Sequence, residues 1–274
     1  MGLFDVAAQK LADLEARVAA LEGATEPIVY EPSDGLFLWS GDVIDGKSFT
    51  GIDYAVNAAS GAYNTAVTGA TVSRCYFESC RFGIKAGSGP VCSGLTFDRL
   101  VARDCRMPIF VADVVDSTFT DLDLEGRPGE TRDHCMYLER GLKRLTFRNL
   151  TLTKGGGYCL HMYNVSGVRG EDLLFEDCVL DATGGWLPLV IMGFQRVTLR
   201  RVTLITDATD GPCVMLGDCA DCVIEDFDAR GGYSLVYSHG GCSNITFRNG
   251  TYLAGSPLIL GTTAGITFEN VVRV

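Results

Sequence analysis

Three histidines and two tryptophans are all that this 274-residue chain contains of either type. Zinc sites draw on paired Cys or His ligands. Cys219 and Cys222 form one such pair with no second beside it, so no metal is expected. Basic residues are few, 23 Lys and Arg against 34 Asp and Glu, giving a net charge of −11. A general nucleic-acid binder needs clustered cations to neutralise phosphates, and that class is excluded. The longest apolar run, WLPLVIMGF, has nine residues. A membrane helix needs about 20, so no insertion into a bilayer is expected. The first residues, MGLFDVAAQKLADLEARV, lack the basic start and apolar core of a secretory signal. Val6 stands where myristoylation of Gly2 needs Ser or Thr. The triple glycine at 155–157 lacks the Lys-Ser/Thr and the strand-to-helix setting of a phosphate loop, and no cofactor is expected.

Glycine and cysteine are abundant instead. There are 33 glycines, about 12% against a usual ~7%. Eleven cysteines, an odd number, without a secretory signal read as small buried hydrophobes of a cytosol-made protein.

Written in heptads from Phe4, the a positions are Phe4, Leu11 and Val18, and the d positions are Ala7, Leu14 and Leu21. An unbroken apolar seam predicts a short parallel coiled coil. Lys10 and Arg17 at g face Glu15 and Glu22 at e of a neighbouring chain, which favours in-register assembly. An amphipathic helix lying on its own domain is the alternative, but it would carry a broader apolar stripe. Gly23 ends the helix. Residues 1–23 are thus an oligomerisation and attachment helix, and 24–68 a linker and irregular first coil or cap.

From 69 to 274 a motif recurs: apolar, any, apolar, any, polar, apolar, any, apolar. LTFRNLTL, LLFEDCVL, VTLRRVTL and ITFRNGTY are its clearest copies. The third residues serve as anchors: Phe77, Phe97, Phe119, Phe147, Phe175, Leu199, Ile224, Phe247 and Phe268. Their mean spacing of about 24 marks a repeat architecture. Each copy alternates with period two, as a strand does. The polar fifth position is often Asn or Asp, which tolerate the left-handed backbone of a sharp bend. A second strand lies between copies: PIFVAD, CMYLER, YCLHMYN, LPLVIMG, PCVMLGD, YSLVYSH and SPLILGT. Short strands and bends repeating every ~24 residues predict an all-β fold, a single-stranded parallel β-helix of about nine coils. A leucine-rich repeat has a compatible period, but these copies lack its LxxLxLxxN order.

A coiled coil followed by these strand repeats resembles the trimeric spike and fibre proteins of tailed phages and phage-like particles, and the strand segments look like the right-handed, pectate-lyase-type parallel β-helix. The resemblance implies a virion protein, assembled in the host cytoplasm. It would be a homotrimeric tail or head spike, joined to other virion proteins through its N-terminus and touching host-surface polysaccharide. The alternative on the same scaffold is a polysaccharide depolymerase, a glycoside hydrolase or a lyase.

Candidate surfaces come from the outward positions of the second strand. Val190, Met215, Val236 and Ile259 read as one outward apolar column, the face where β-helices of a trimer would meet. Earlier coils place Tyr137, Glu139, Arg140, His161, Tyr163 and Asn164 together, with Asp113 one coil away and Asp133 and His134 in a flanking loop. Aromatic rings beside carboxylates and a guanidinium suit sugars. Glu139, Asp113 and Asp133 are the candidates for acid–base chemistry, which a depolymerase would need. A polar part of the subunit interface, or a solvated face, is the plainer reading of the same cluster. Trp186, in a bend after two glycines, could stack on a sugar or pack over a coil edge.

If the heptads assemble the protein, Leu14→Asp with Leu21→Asp lowers the mass seen by light scattering while the β-type circular dichroism persists. An unchanged mass removes the coiled coil as an assembly element.

Overall fold

The computed structural model describes residues 30–58, 65–87, 89–153, 155–164, 167–253 and 257–274. The chain divides into Met1–Tyr30 and Glu31–Val274. The heptads, with Leu11, Leu14, Val18 and Leu21, lie outside the described residues. Glu31–Val274 is an all-β parallel solenoid of about nine turns. One sheet has 18 strands and the other 10. Every strand pair among the described residues is parallel, each coil bonding to the next.

The inward columns are apolar because each is shielded above and below by its equivalents in neighbouring coils. Phe97, Phe119, Phe147, Phe175, Leu199, Ile224, Phe247 and Phe268 lie in one column of the large sheet. The rings stack face to face, with centroids 4.6 Å apart for Phe119 and Phe147 and 4.3 Å for Phe147 and Phe175. The expected first anchor is in the wrong column. Phe97 pairs with Val72, whereas Phe77 pairs with Phe49 and Ala102. The repeat contains two inward strands with the same alternation, so the pattern matches itself when shifted from one to the other. Regular pairing also begins earlier than residue 69. Val43–Asp45, Lys47–Thr50 and Tyr54–Ala58 are already in register with the following coil.

Two ladders of left-handed backbone flank the anchor column. Two residues after it come Arg74, Arg99, Asp121, Asn149, Asp177, Arg201, Asp226, Asn249 and Asn270, with φ between 48° and 57°. Three residues before it come Asp116, Arg144, Asp172, Arg196, Asp221 and Asn244. Asp and Asn were expected at such bends; Arg was not. A left-handed non-glycine residue costs about 1–2 kcal/mol. At the arginine positions the coil-to-coil bonds continue, since the Arg74 and Arg201 N–H groups donate to Asp98 and Glu225 carbonyls. The side chains also pair between coils: Arg144 with Asp116 at 2.5 Å, Arg196 with Asp172 at 2.6 Å and Arg201 with Asp177 at 2.8 Å.

Ten of the eleven cysteines are buried and Cys242 is half-buried. They fill core positions like small hydrophobes. Cys219 and Cys242 sit on successive coils with sulfurs 3.5 Å apart.

Truncating one ring of the stack leaves a cavity that neighbouring coils cannot close, because their spacing is fixed by backbone bonds. Phe175→Ala is expected to destabilise by about 3–5 kcal/mol and to lower the melting temperature by roughly 10 °C. An unchanged thermal melt contradicts the column assignment.

Candidate functional site: an aromatic band on the small sheet

The outer faces of the two sheets carry different chemistry. On the large sheet, the column beside the anchors runs Arg148, Glu176, Arg200, Glu225, Arg248. Its charges alternate and bond along the stack: Arg148 to Glu176 at 2.9 Å, Arg200 to Glu225 at 2.6 Å, and Arg248 Nε to Glu225 at 2.8 Å. This face is occupied with its own pairing.

The small sheet is built from Leu36–Phe37, Tyr54–Ala58, Phe82–Ala86, Met107–Val111, Met136–Leu138, Tyr158–Tyr163, Leu187–Met192, Pro212–Gly217, Ser234–Ser238 and Ile259–Gly261. Its central outward column runs Asn57, Lys85, Phe110, Tyr137, His161, Val190, Met215, Tyr237 and Leu260. Rings of this column and of the outward positions beside it touch from coil to coil. Tyr54 stacks on Phe82, Phe110 meets Tyr137 edge-on at 5.5 Å, and Tyr137 stacks on His161 at 4.8 Å. His161 in turn stacks on Tyr163 at 5.3 Å. Tyr158 stacks on Trp186, which is 41% exposed. Of the expected ligand residues, Tyr137, His161 and Tyr163 therefore meet in one patch.

His134 joins them from the loop that precedes the Met136–Leu138 strand. It is 6% exposed and stacks on Tyr158. Its position depends on Gly157, where a Cβ would stand 2.6 Å from the imidazole and 2.4 Å from the Thr131 carbonyl. The triple glycine lets this loop close onto the next coil. The Tyr158 N–H donates to His134 Nδ1 at 3.1 Å. A backbone N–H can only donate, so neutral His134 carries its proton on Nε2. That nitrogen lies 3.1 Å from His161 Nδ1. His161 therefore accepts at Nδ1 and keeps its own proton on Nε2. Burial holds both imidazoles neutral: it brings His134 down to about 4, and with the neighbouring His134 brings His161 down to about 3. Burial, then the Glu139 charge, pushes the Tyr137 phenol up to about 12. The patch thus offers uncharged donors and ring faces at neutral pH.

The carboxylates have separate surroundings. Asp133 is 2% exposed and lies against Arg106, with contacts of 3.0 to 3.2 Å. That pair ties the loop to the preceding coil. Glu139 and Asp113 both bond Arg140, at 3.4 and 3.3 Å, so the guanidinium holds the two together at the corner of the sheet. The Asn164 amide donates to the Val168 carbonyl and holds its own turn. Tyr163 and Asn164 line a groove of about 480 Å³ with Arg169, Met192 and Asp218.

The expected apolar column needs correction. Val236 pairs with Val214 and Ile259, which puts both Val236 and Ile259 in the inward column. Val236 is 0% exposed, and the outward residues of those coils are Tyr237 and Leu260. In a run such as SLVY, several consecutive residues suit the core, so alternation does not fix the face, and a slip of one residue reverses it. Val190 does lie in the outward column but is 1% exposed, a short side chain between His161 and Met215. Met215 is half-buried there. Sequence reasoning missed Tyr54, Phe82, Lys85 and Tyr158 as members of the band. The segments YAVNA and FGIKA carried the signal, since they align with PIFVAD once the first coils are counted.

Compared with family models, and with curated protein sequences, the chain matches none. Solved structures do match. ORF18 of Geobacillus virus E2 superimposes with a TM-score of 0.63 at 12% identity, covering 89% of this chain and 53% of that one. The periplasmic alginate epimerase AlgG gives 0.61 at 11% identity, covering 88% and 62%. The A-module of the Azotobacter vinelandii mannuronan C-5 epimerase AlgE4 gives 0.58 at 12% identity, covering 89% and 82%. The likeness is one of fold. The β-solenoid is shared with a phage protein and with polysaccharide-modifying enzymes, and this chain spans 53% and 62% of the first two.

The histidine pair makes stability depend on pH. An unfolded imidazole titrates near 6.5, above both folded values. As pH falls below about 6.5 the unfolded chain takes up protons first, so the stabilisation present at neutral pH is lost towards pH 4. The loss by pH 4 is expected on the order of 3 kcal/mol for each imidazole, about 6 kcal/mol for the pair. Melting curves of the parent and of His161→Gln between pH 7 and 4 test this. The variant should show a shallower fall, and equal slopes would rule out the histidines as the cause.

Proposed function

We propose that this chain is a virion structural protein, a homotrimeric tail or head spike or fibre that contacts host-surface glycan through the small sheet. The observation that carries the reading is the aromatic band from Tyr54 to Trp186 on one outer face, while the large sheet's outer face is taken up by its own ion pairs. Ring faces pack against the apolar faces of sugars, and tyrosine and histidine edges supply hydrogen bonds to hydroxyls. The heptads of residues 4–22 would tie three chains together and join them to other virion proteins. The outward column through Met215, Tyr237 and Leu260 would add contact between protomers. Buried cysteines used as small hydrophobes fit a protein folded in a reducing host cytoplasm. The right-handed, pectate-lyase-type coil expected from the sequence belongs to this reading.

A specific observation favours a second reading, a polysaccharide depolymerase. His134 and His161 form a neutral hydrogen-bonded pair in reach of Tyr137, with Glu139 beside it. Held in that tautomer, His161 can donate its Nε2–H to a substrate oxygen while the Glu139 carboxylate serves as the base. A glycoside hydrolase or a lyase would draw on these groups.

Binding and turnover on polysaccharide purified from the host envelope separate the two. Tyr163→Ala is expected to weaken binding at least tenfold without loss of fold, supporting an adhesin. Glu139→Gln that binds normally but releases no reducing ends or unsaturated products, where the parent does, supports the depolymerase. Unchanged binding in Tyr163→Ala refutes the glycan assignment.

A further inference from the structure

In a chain of net charge −11, a cation without a carboxylate partner is unusual. Most described lysines and arginines are ion-paired. Arg81 and Lys85 form no ion pair among the described residues. Both sit over rings instead, at the N-terminal end of the aromatic band. The Lys85 ammonium lies 5.1 Å from the Tyr54 centroid, 5.8 Å from Phe82 and 5.9 Å from Phe110. The Arg81 guanidinium lies 5.4 Å from Phe82 and 6.0 Å from Tyr54. Two like charges thus share one platform, and burial first, then Arg81, hold the Lys85 ammonium below its usual range. Glu139 attracts Lys85 from further off, but its carboxylate is bonded to Arg140. Ring faces attract cations without neutralising them, so the pair keeps its full charge for an incoming anion.

We infer that Arg81 and Lys85, seated on Tyr54, Phe82 and Phe110, form an anion subsite, and that the glycan this face takes is an acidic polysaccharide. The inference rests on the glycan-contact reading above and specifies its ligand class. Phe82 meets Phe110 and Phe110 meets Tyr137, so ring contacts link the cationic end to the histidine patch along the path of a sugar chain laid parallel to the solenoid axis, with Phe110 itself only 9% exposed. An anionic substituent reaching Arg81 gains a charge-assisted, two-pronged hydrogen bond, and Lys85 adds a second charge. Carboxylates and sulfate esters share this chemistry.

Binding of the full chain to polygalacturonate, dextran sulfate and uncharged dextran tests the inference and separates the two anion types. At least one charged polymer should bind ten or more times tighter than dextran. Raising NaCl from about 50 to 500 mM should cost tenfold or more of that affinity, because exposed charges are screened. Arg81→Gln with Lys85→Gln should abolish the advantage over dextran while the melting temperature holds. The inference is overturned if neither charged polymer outbinds dextran, or if the double variant keeps the preference. Loss of host-polysaccharide binding in Tyr163→Ala is read separately. If that result stands while the charged polymers show no preference, the charge assignment alone fails.

Discussion

Parallel stacking of one coil on the next, at about 4.8 Å per step, is the constraint on which everything else in this protein depends. Every residue meets its equivalents above and below before it meets anything else. An inner residue of the anchor column is covered above and below by apolar equivalents, so the core is buried although a coil alone could bury little. The same geometry makes like charges in succession costly. At this separation two like charges in a medium of effective dielectric ~20 would repel by about 3 kcal/mol. The large sheet answers with alternation, Arg148, Glu176, Arg200, Glu225 and Arg248.

The bends obey the same rule. A left-handed residue costs energy once, but its successors in the column must adopt the same conformation for the backbone bonds to continue. The column therefore imposes that conformation on Arg74, Arg99 and Arg201 as well as on Asp and Asn. The Arg74 and Arg201 guanidinium groups then pair across coils, with Asp45 and Asp177, while Arg99 pairs with Asp98 beside it. Each such ion pair is worth little when exposed, and what it secures is mainly the register that the hydrogen bonds set.

Against this regularity the small sheet departs from self-pairing. Its outward column changes from Lys85 through aromatic rings to Val190 and Met215, so the face varies along the axis as the ladders do not. The departure coincides with the loop that brings in Asp133 and His134, held down by Arg106 and seated over the triple glycine. Glycine at 157 is structural: it makes room for an imidazole. Cations without ion pairs, neutral histidines and half-buried rings gather on this one face.

The sequence alone determined the solenoid, the alternation of its strands, most of its inward columns and the bends marked by Asn or Asp. These follow from local periodicity, and stacking repeats each local choice nine times over. It also brought Tyr137, His161 and Tyr163 together, because equivalent outward positions must adjoin. Only the tertiary structure decided the phase of the first coils, where two apolar strands look alike and Phe77 fits either column. Only it decided the face of Val236 and Ile259, where an apolar run has no alternation to read. The partner of each charge was likewise settled in three dimensions. Asp133, a catalytic candidate by residue type, is claimed by Arg106 across a coil, and His134 reaches His161 through a loop whose path depends on what a glycine leaves empty.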